Sequence, residues 1–346
     1  MRIAVTGASG NVGTALLRRL SGAGHELVGI SRRPPDATAE PYDRVEWHHL
    51  DIAADPAPLR AALRGCDAVV HLAWLIQPSR DERELTRVNV GGSRAVVRAA
   101  LDEGVPHLVH ASSVGTYSDH PHDDSPVDES WPVHGGVRSL EYSRSKAAVE
   151  AHLDEVEREH DQLAVARVRP ALVLQHDAAS AIGRYFLGAL VPTRLVRRVP
   201  LPVLPLPRRL RLQVVHADDV ADAFARVVER GARGAFHVAD EPVLGGRDIA
   251  LALRARRLLA LDHRLTRAAV AASYRARVHP VPPGWLDLGL SVPVMDTARA
   301  RTELGWEPRH RSGDVLRELL EGLAQHGSSP SPVLRPRGAG GSRVGV

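Results

Sequence analysis

Short apolar runs alternate with amphipathic stretches along most of the chain. Residues 2–6, 25–30, 45–50, 67–73, 107–113 and 167–174 read as strands, being four to eight residues long and rich in Val, Ile and Leu. Between them lie runs with helical spacing: Leu16, Leu17 and Leu20; residues 57–64; residues 82–103; and Ala147, Val149, Leu153 and Val156. Strands alternating with helices predict an α/β fold built on a doubly wound parallel sheet. Further strands are predicted at 212–215 and 234–238, with helical runs at 181–190, 248–260, 266–277 and 315–324. The segment from Val199 to Pro207 is too proline-dense for a helix or a central strand. From Gly327 onward Ser, Pro, Gly and Arg dominate without apolar periodicity, which predicts a disordered tail.

Composition narrows the function classes. Lys and Arg exceed Asp and Glu by 45 − 41 = 4, yet the arginines are scattered along amphipathic stretches and no basic block is interleaved with aromatics. A nucleic-acid partner is therefore not expected. The single Cys66 excludes an intrachain disulfide and a cysteine-based metal site. No apolar stretch approaches the length of a membrane span, and Met1-Arg2 leads directly into a strand, so a cytoplasmic protein without a membrane partner is expected.

The first strand runs straight into Gly7-Ala8-Ser9-Gly10-Asn11-Val12-Gly13 and then a helix. Strand, glycine turn and helix form the setting in which backbone can approach a pyrophosphate and a helix N-terminus can attract it. At the end of the second strand an acid would bind the ribose hydroxyl of NAD, whereas arginine accommodates the 2′-phosphate of NADP. Ser31-Arg32-Arg33 stands there, and Asp36 lies beyond two prolines. NADP is thus the preferred cofactor, with NAD as the alternative.

Tyr142 and Lys146 are four residues apart at the start of a helical run, so their side chains share one face. A cation beside a phenol lowers its pKa from roughly 10 and favours proton exchange. The strand ending at Ala111-Ser112-Ser113 presents two hydroxyls. Asn89 precedes Gly91-Gly92 inside the 82–103 helix, where paired glycines predict close packing against a neighbour. Residues 119–138, rich in Pro, Asp, His and Gly, read as a loop over the strand ends; their histidines and acids lack the fixed spacing of a metal site, and none is expected.

Taken together, Thr6 to Gly13, Asp51-Ile52, His71-Leu72-Ala73, Asn89-Val90-x-Gly92, Ala111-Ser112-Ser113, Tyr142 to Lys146, Arg167 to Pro170, Gln213 to Ala221 and Glu303-Leu304-Gly305-Trp306 resemble the extended short-chain dehydrogenases/reductases of the NAD-dependent epimerase/dehydratase type. The resemblance covers about residues 1–320. It implies a Rossmann sheet with a smaller C-terminal substrate lobe: a dinucleotide core over 1–174, a lobe segment over 175–212, a return to the sheet over 213–239, and lobe plus closing helix over 240–326, before the tail at 327–346. It assigns Gly7, Ser9, Gly10, Asn11, Val12 and Gly13 to the pyrophosphate, Asp51 and Ile52 to the adenine, and Leu72, Ala73 and Pro170 to the cofactor's flank, while Ser31, Arg32 and Arg33, at the position of cofactor choice, depart from the family pattern by replacing its acidic NAD selector. Catalysis falls to Tyr142 as proton donor or acceptor, Ser113 as hydrogen-bond donor to a substrate oxygen, Lys146 as holder of the ribose and activator of the tyrosine, and Asn89 near them. Trp74 departs from the family pattern, in which a small residue is usual, and implies a reshaped pocket wall. The expected activity is hydride transfer at a carbinol or ketone carbon of a small-molecule substrate; the alternatives are an epimerase or dehydratase without net redox change and, least favoured, a non-catalytic dinucleotide sensor. A homodimer through helices near 84–103 and 142–159 is also implied.

Overall fold

The structure is a computed structural model that describes residues 1–187 and 200–336. Its centre is a seven-stranded parallel sheet of β1 (Arg2–Thr6), β2 (Glu26–Ser31), β3 (Val45–His49), β4 (Ala68–His71), β5 (His107–Ala111), β6 (Ala164–Pro170) and β7 (Gly234–Val238). Their order across the sheet is β3-β2-β1-β4-β5-β6-β7. The order reverses between β1 and β4, the switch point where such sheets bind ligands.

Because side chains alternate across a strand, each strand supplies both faces. Ile3, Val5, Val70, Val109 and Val168 meet α1 (Asn11–Ser21) and α6 (Ala217–Arg230) through Leu16, Leu17, Leu20, Val220 and Phe224. Ala4, Val28, Val69, Leu108 and Val165 meet α2 (Pro56–Leu63), α4 (Gly92–Asp102) and α5 (Glu141–Glu159) through Leu59, Leu63, Val96, Val149 and Leu153. Helices on both faces give the doubly wound architecture expected from the alternation. No helix among the described residues is long and apolar enough to cross a membrane.

The helix expected over 82–103 is broken. It divides into α3 (Glu82–Thr86), a π-helical turn at Arg87–Gly91, and α4. Gly92 explains the close packing: a Cβ there would lie 2.8 Å from Ile52 Cδ1, whereas one on Gly91 would meet nothing within 4 Å. A π-turn of this kind inserts one residue and re-aims the side chains beside it, here Asn89.

Three expectations differ from the structure. The strand at Val214–His216 joins Leu172–Leu174 in a separate parallel pair instead of the main sheet. Residues 258–260, the end of the helix expected over 248–260, instead belong to a strand, Leu258–Leu261, paired with Leu204–Pro207. The prolines tolerate this two-stranded edge because Leu204 and Arg208 supply amides, to Arg257 O at 2.9 Å and Leu261 O at 3.0 Å, while Pro205 and Pro207 fall between. Residues 327–336, expected as disordered, are packed. Ser331 Oγ donates to Ser9 O at 2.6 Å, the Asp36 amide donates to Pro330 O at 3.0 Å, and Leu334 is buried against Ala178 and Ala181. One anchoring leucine and a few hydroxyls hold a segment whose composition shows no period. The expected helix at 181–190 and the proline run from 199 lie partly outside the described residues, and residues 337–346 wholly so.

Candidate active site

The glycine turn leaves β1 at the switch point. The Gly7 amide donates to Ile30 O at 2.8 Å, and the Gly10 amide to Gly7 O at 2.9 Å. Gly7 has φ +69°, and a Cβ on it would sit 2.7 Å from the Ala73 nitrogen; one on Gly13 would sit 2.4 Å from Gly7 O. Side chains are thus excluded from a cradle that opens at the first turn of α1. No side chain caps that turn, so its backbone N–H groups remain available to an anion.

The neighbouring strand ends close around the turn. The Leu72 amide donates to Thr6 O at 3.1 Å and the Ala73 amide to Thr6 Oγ1 at 3.2 Å. Ser31 Oγ donates to Arg33 O at 3.0 Å, and the Arg32 and Arg33 side chains are exposed. Asp51 accepts from the Ala53 amide at 3.0 Å and from Arg87 at 2.9 Å, with Ile52 buried beside it. Asn11 accepts from Gln175 at 2.5 Å, and Val12 packs on the core. Ser9 is buried and engaged through its carbonyl by the C-terminal segment. Pro170 ends β6, paired with Val238. These residues fit a dinucleotide in kind: small residues where backbone must approach, free amides at a helix N-terminus, and exposed cations at the end of β2.

Helix α5 carries Tyr142 and Lys146 to the mouth of the sheet. It is fixed two turns further on by Glu150, a buried carboxylate that accepts from Ser112 Oγ at 2.5 Å and from both arms of Arg169 at 2.8 Å, with Arg167 at 3.0 Å. Burial favours the neutral acid, yet the two guanidiniums hold Glu150 below the usual carboxylate range. The tie matters because it locks α5 to the end of β5, and so Tyr142 to Ser113.

Ser113 and Tyr142 do meet. The tyrosine ring lies against Gly115, where an added Cβ would be 2.9 Å from Tyr142 Cε1 and 3.4 Å from Ser113 Oγ. The Gly115 amide donates to Ser113 Oγ at 3.0 Å, which orients that hydroxyl. Burial pushes the Tyr142 phenol up to about 12, with the Ser113 hydroxyl pulling the other way. Lys146 does not lower it, contrary to expectation. Its ammonium donates to Ala111 O at 2.7 Å, lies 3.4 Å from the centre of the Trp74 ring, and stands 5.9 Å from the centre of the Tyr142 ring. Burial pushes Lys146 down to about 7, with Glu150 and Glu141 raising it in part. The cation is spent on a carbonyl and an indole face, so desolvation governs the phenol.

Asn89 has a different place from the catalytic one expected. It is fully buried; its Oδ1 accepts from the Leu75 amide at 2.8 Å and its Nδ2 donates to Leu75 O at 3.1 Å. Both ends of the amide are used, and Asn89 positions the chain after Ala73. That chain includes Trp74, whose indole N–H is buried without a partner. Trp74 is edge-on to Tyr142 at 6.2 Å, and Trp285 is tilted against the phenol at 5.1 Å, with Phe186 against Trp285 at 5.1 Å. Neither Trp285 nor Gly115 stood out in the sequence. Trp285 follows a proline turn far along the chain, and only its aromatic character signalled it.

A glycine cradle at the switch point and a tyrosine-serine-lysine group on the next strand ends define a Rossmann-type nucleotide-binding protein with a chemical site. The chain belongs to the NAD dependent epimerase/dehydratase family, which it matches over residues 3–239. It is 30% identical to the UDP-glucose 4-epimerase of Mycolicibacterium smegmatis, over 93% of this chain and 98% of that one. It is 37% identical to an uncharacterized protein of Mycobacterium tuberculosis over 33% of this chain, a match that spans 12% of the relative's length. Among solved structures, the dTDP-glucose 4,6-dehydratase DesIV of Streptomyces venezuelae, with NAD and TYD bound, shares the fold with TM-score 0.69 at 21% identity, covering 94% of this chain and 97% of the other.

Proposed function

We propose that the chain is an NADP(H)-dependent oxidoreductase acting at a carbinol or ketone carbon of a small molecule. The observation that carries this is the contact of Tyr142 with the Ser113 corner at a cavity wall, one helical turn from Lys146. Gly7, Gly10 and Gly13 with the start of α1 would hold the pyrophosphate, Lys146 the ribose beside the nicotinamide, and Arg32 and Arg33 the 2′-phosphate. The bound dinucleotide supplies or accepts the hydride. Tyr142 hands its hydroxyl proton to the substrate oxygen in the reducing direction and recovers it in the oxidising one. Burial keeps the Tyr142 proton in place at neutral pH, and its transfer works against that shift, since a general acid is most effective with a pKa near the operating pH. Ser113 donates to the same oxygen as charge develops there.

Tyr142→Phe is expected to cut turnover about a hundredfold to ten-thousandfold while NADPH affinity, measured by calorimetry, stays unchanged. Retained turnover in this variant contradicts the assignment. A second reading, an epimerase or dehydratase without net redox change, is favoured by the 30% identity to the mycobacterial UDP-glucose 4-epimerase. Nicotinamide absorbance that stays constant through repeated turnovers would select it.

A further inference from the structure

A cavity of about 320 Å³ opens beside Tyr142, between the chain after Ala73, the start of α5, and Tyr274, Pro282 and Trp285. Its volume is about ten waters' worth. That is room for a one- or two-ring molecule.

The charges on its wall are already engaged. Arg80 stacks on Tyr274 at 4.3 Å and donates to Tyr274 O at 3.0 Å. Glu82 accepts from Arg144 at 2.8 Å, and the buried Glu141 accepts from Ser145. A diphosphate entering this space would meet one cation, Arg80, already held on Tyr274, together with the carboxylates of Glu82 and Glu141, and burying incompletely paired charge is expensive. What remains is mixed: Leu75, Ile76, Pro78 and Leu85 are apolar, Gln77, Ser79 and Ser139 are polar but uncharged, and the Trp285 ring, braced by Phe186, completes the lining.

We propose that this cavity takes an uncharged aromatic ketone, or the matching secondary alcohol, with its ring against Trp285 and its oxygen toward Tyr142. The assignment rests on Tyr142 serving as the proton donor. Offset and edge-on ring pairs contribute beyond simple burial, and Trp285, whose ring centre lies 5.1 Å from that of Tyr142, brings an aromatic surface next to the phenol.

The test is calorimetric titration of the NADPH-loaded protein with acetophenone, α-tetralone and UDP-glucose, followed by turnover with each. At least one ketone is expected to bind saturably and UDP-glucose is not. Trp285→Ala should weaken the ketone about tenfold or more at unchanged NADPH affinity, and Trp285→Phe should retain most of it. Saturable UDP-glucose binding, failure of both ketones to bind, or ketone affinity indifferent to Trp285→Ala in a folded variant overturns the proposal. If Trp285→Ala does not fold, an unchanged or improved affinity in Trp285→Leu does so instead. Ketone binding without nicotinamide oxidation would leave the substrate class standing and remove the oxidoreductase reading.

Discussion

The two walls of the site are built in opposite ways. The wall proposed for the cofactor is made of one strand, one glycine turn and the strand ends beside it, where backbone packs closely and side chains are kept out. The facing wall is made of large rings, Trp74, Tyr142, Phe186 and Trp285, drawn from four segments spread over two hundred residues. The first is specified by what cannot be added, the second by what has been brought together. A change on the first wall should therefore act through steric exclusion, and one on the second through small displacements of a ring.

Gly13→Ala tests the first wall with the largest effect. The added methyl would lie 2.4 Å from Gly7 O, and since backbone must move to relieve it, dinucleotide affinity should fall about a hundredfold, roughly 2.7 kcal/mol. Gly91→Ala is the contrast, with open space around the new methyl and no expected loss of affinity. Equal effects in calorimetry would erase the distinction between the two glycines.

Gly115→Ala tests the second wall. Its methyl would press on the Tyr142 ring at 2.9 Å, a contact relieved by a ring shift of a few tenths of an ångström. Turnover should drop about tenfold with thermal stability and cofactor affinity nearly unchanged, because reacting groups tolerate little misplacement. Unaltered turnover would mean that the ring is not held in a functional position.

The smallest effect concerns Lys146, which joins the walls. Its ammonium is pushed down to about 7 by burial, so from pH 7 to the unfolded value near 10.5 the unfolded chain binds more protons than the folded one. Stability from this group rises with pH through that window; the cost of burying the charge is full below pH 7 and gone above the unfolded value. Lys146→Met should then raise the melting temperature relative to the natural chain more at pH 6 than at pH 10. An identical offset at both pH values would contradict the burial argument.

Legibility in the sequence followed the same division. Gly7 to Gly13, the sheet strands and the Tyr142–Lys146 spacing are local patterns of period, turn and helix face, and each could be read from adjacent residues. The partners of Lys146 could not: Trp74 and the Ala111 carbonyl reach it from other strand ends, and they determine whether its charge acts on the phenol. Asn89 looked catalytic by position, but the π-turn and the Leu75 backbone claim both ends of its amide. The packed segment around Leu334 escaped for a related reason, since a single anchoring leucine among serines and prolines has no period to detect.

The central claim, net hydride transfer with Tyr142 as the proton donor, is tested most directly by mixing the protein, NADPH carrying deuterium on the transferring carbon, and an aromatic ketone. Deuterium is expected on the product's carbinol carbon, with one nicotinamide oxidised per product and both lost in Tyr142→Phe. Product formed with the nicotinamide unchanged, or formed equally well by Tyr142→Phe, would contradict it.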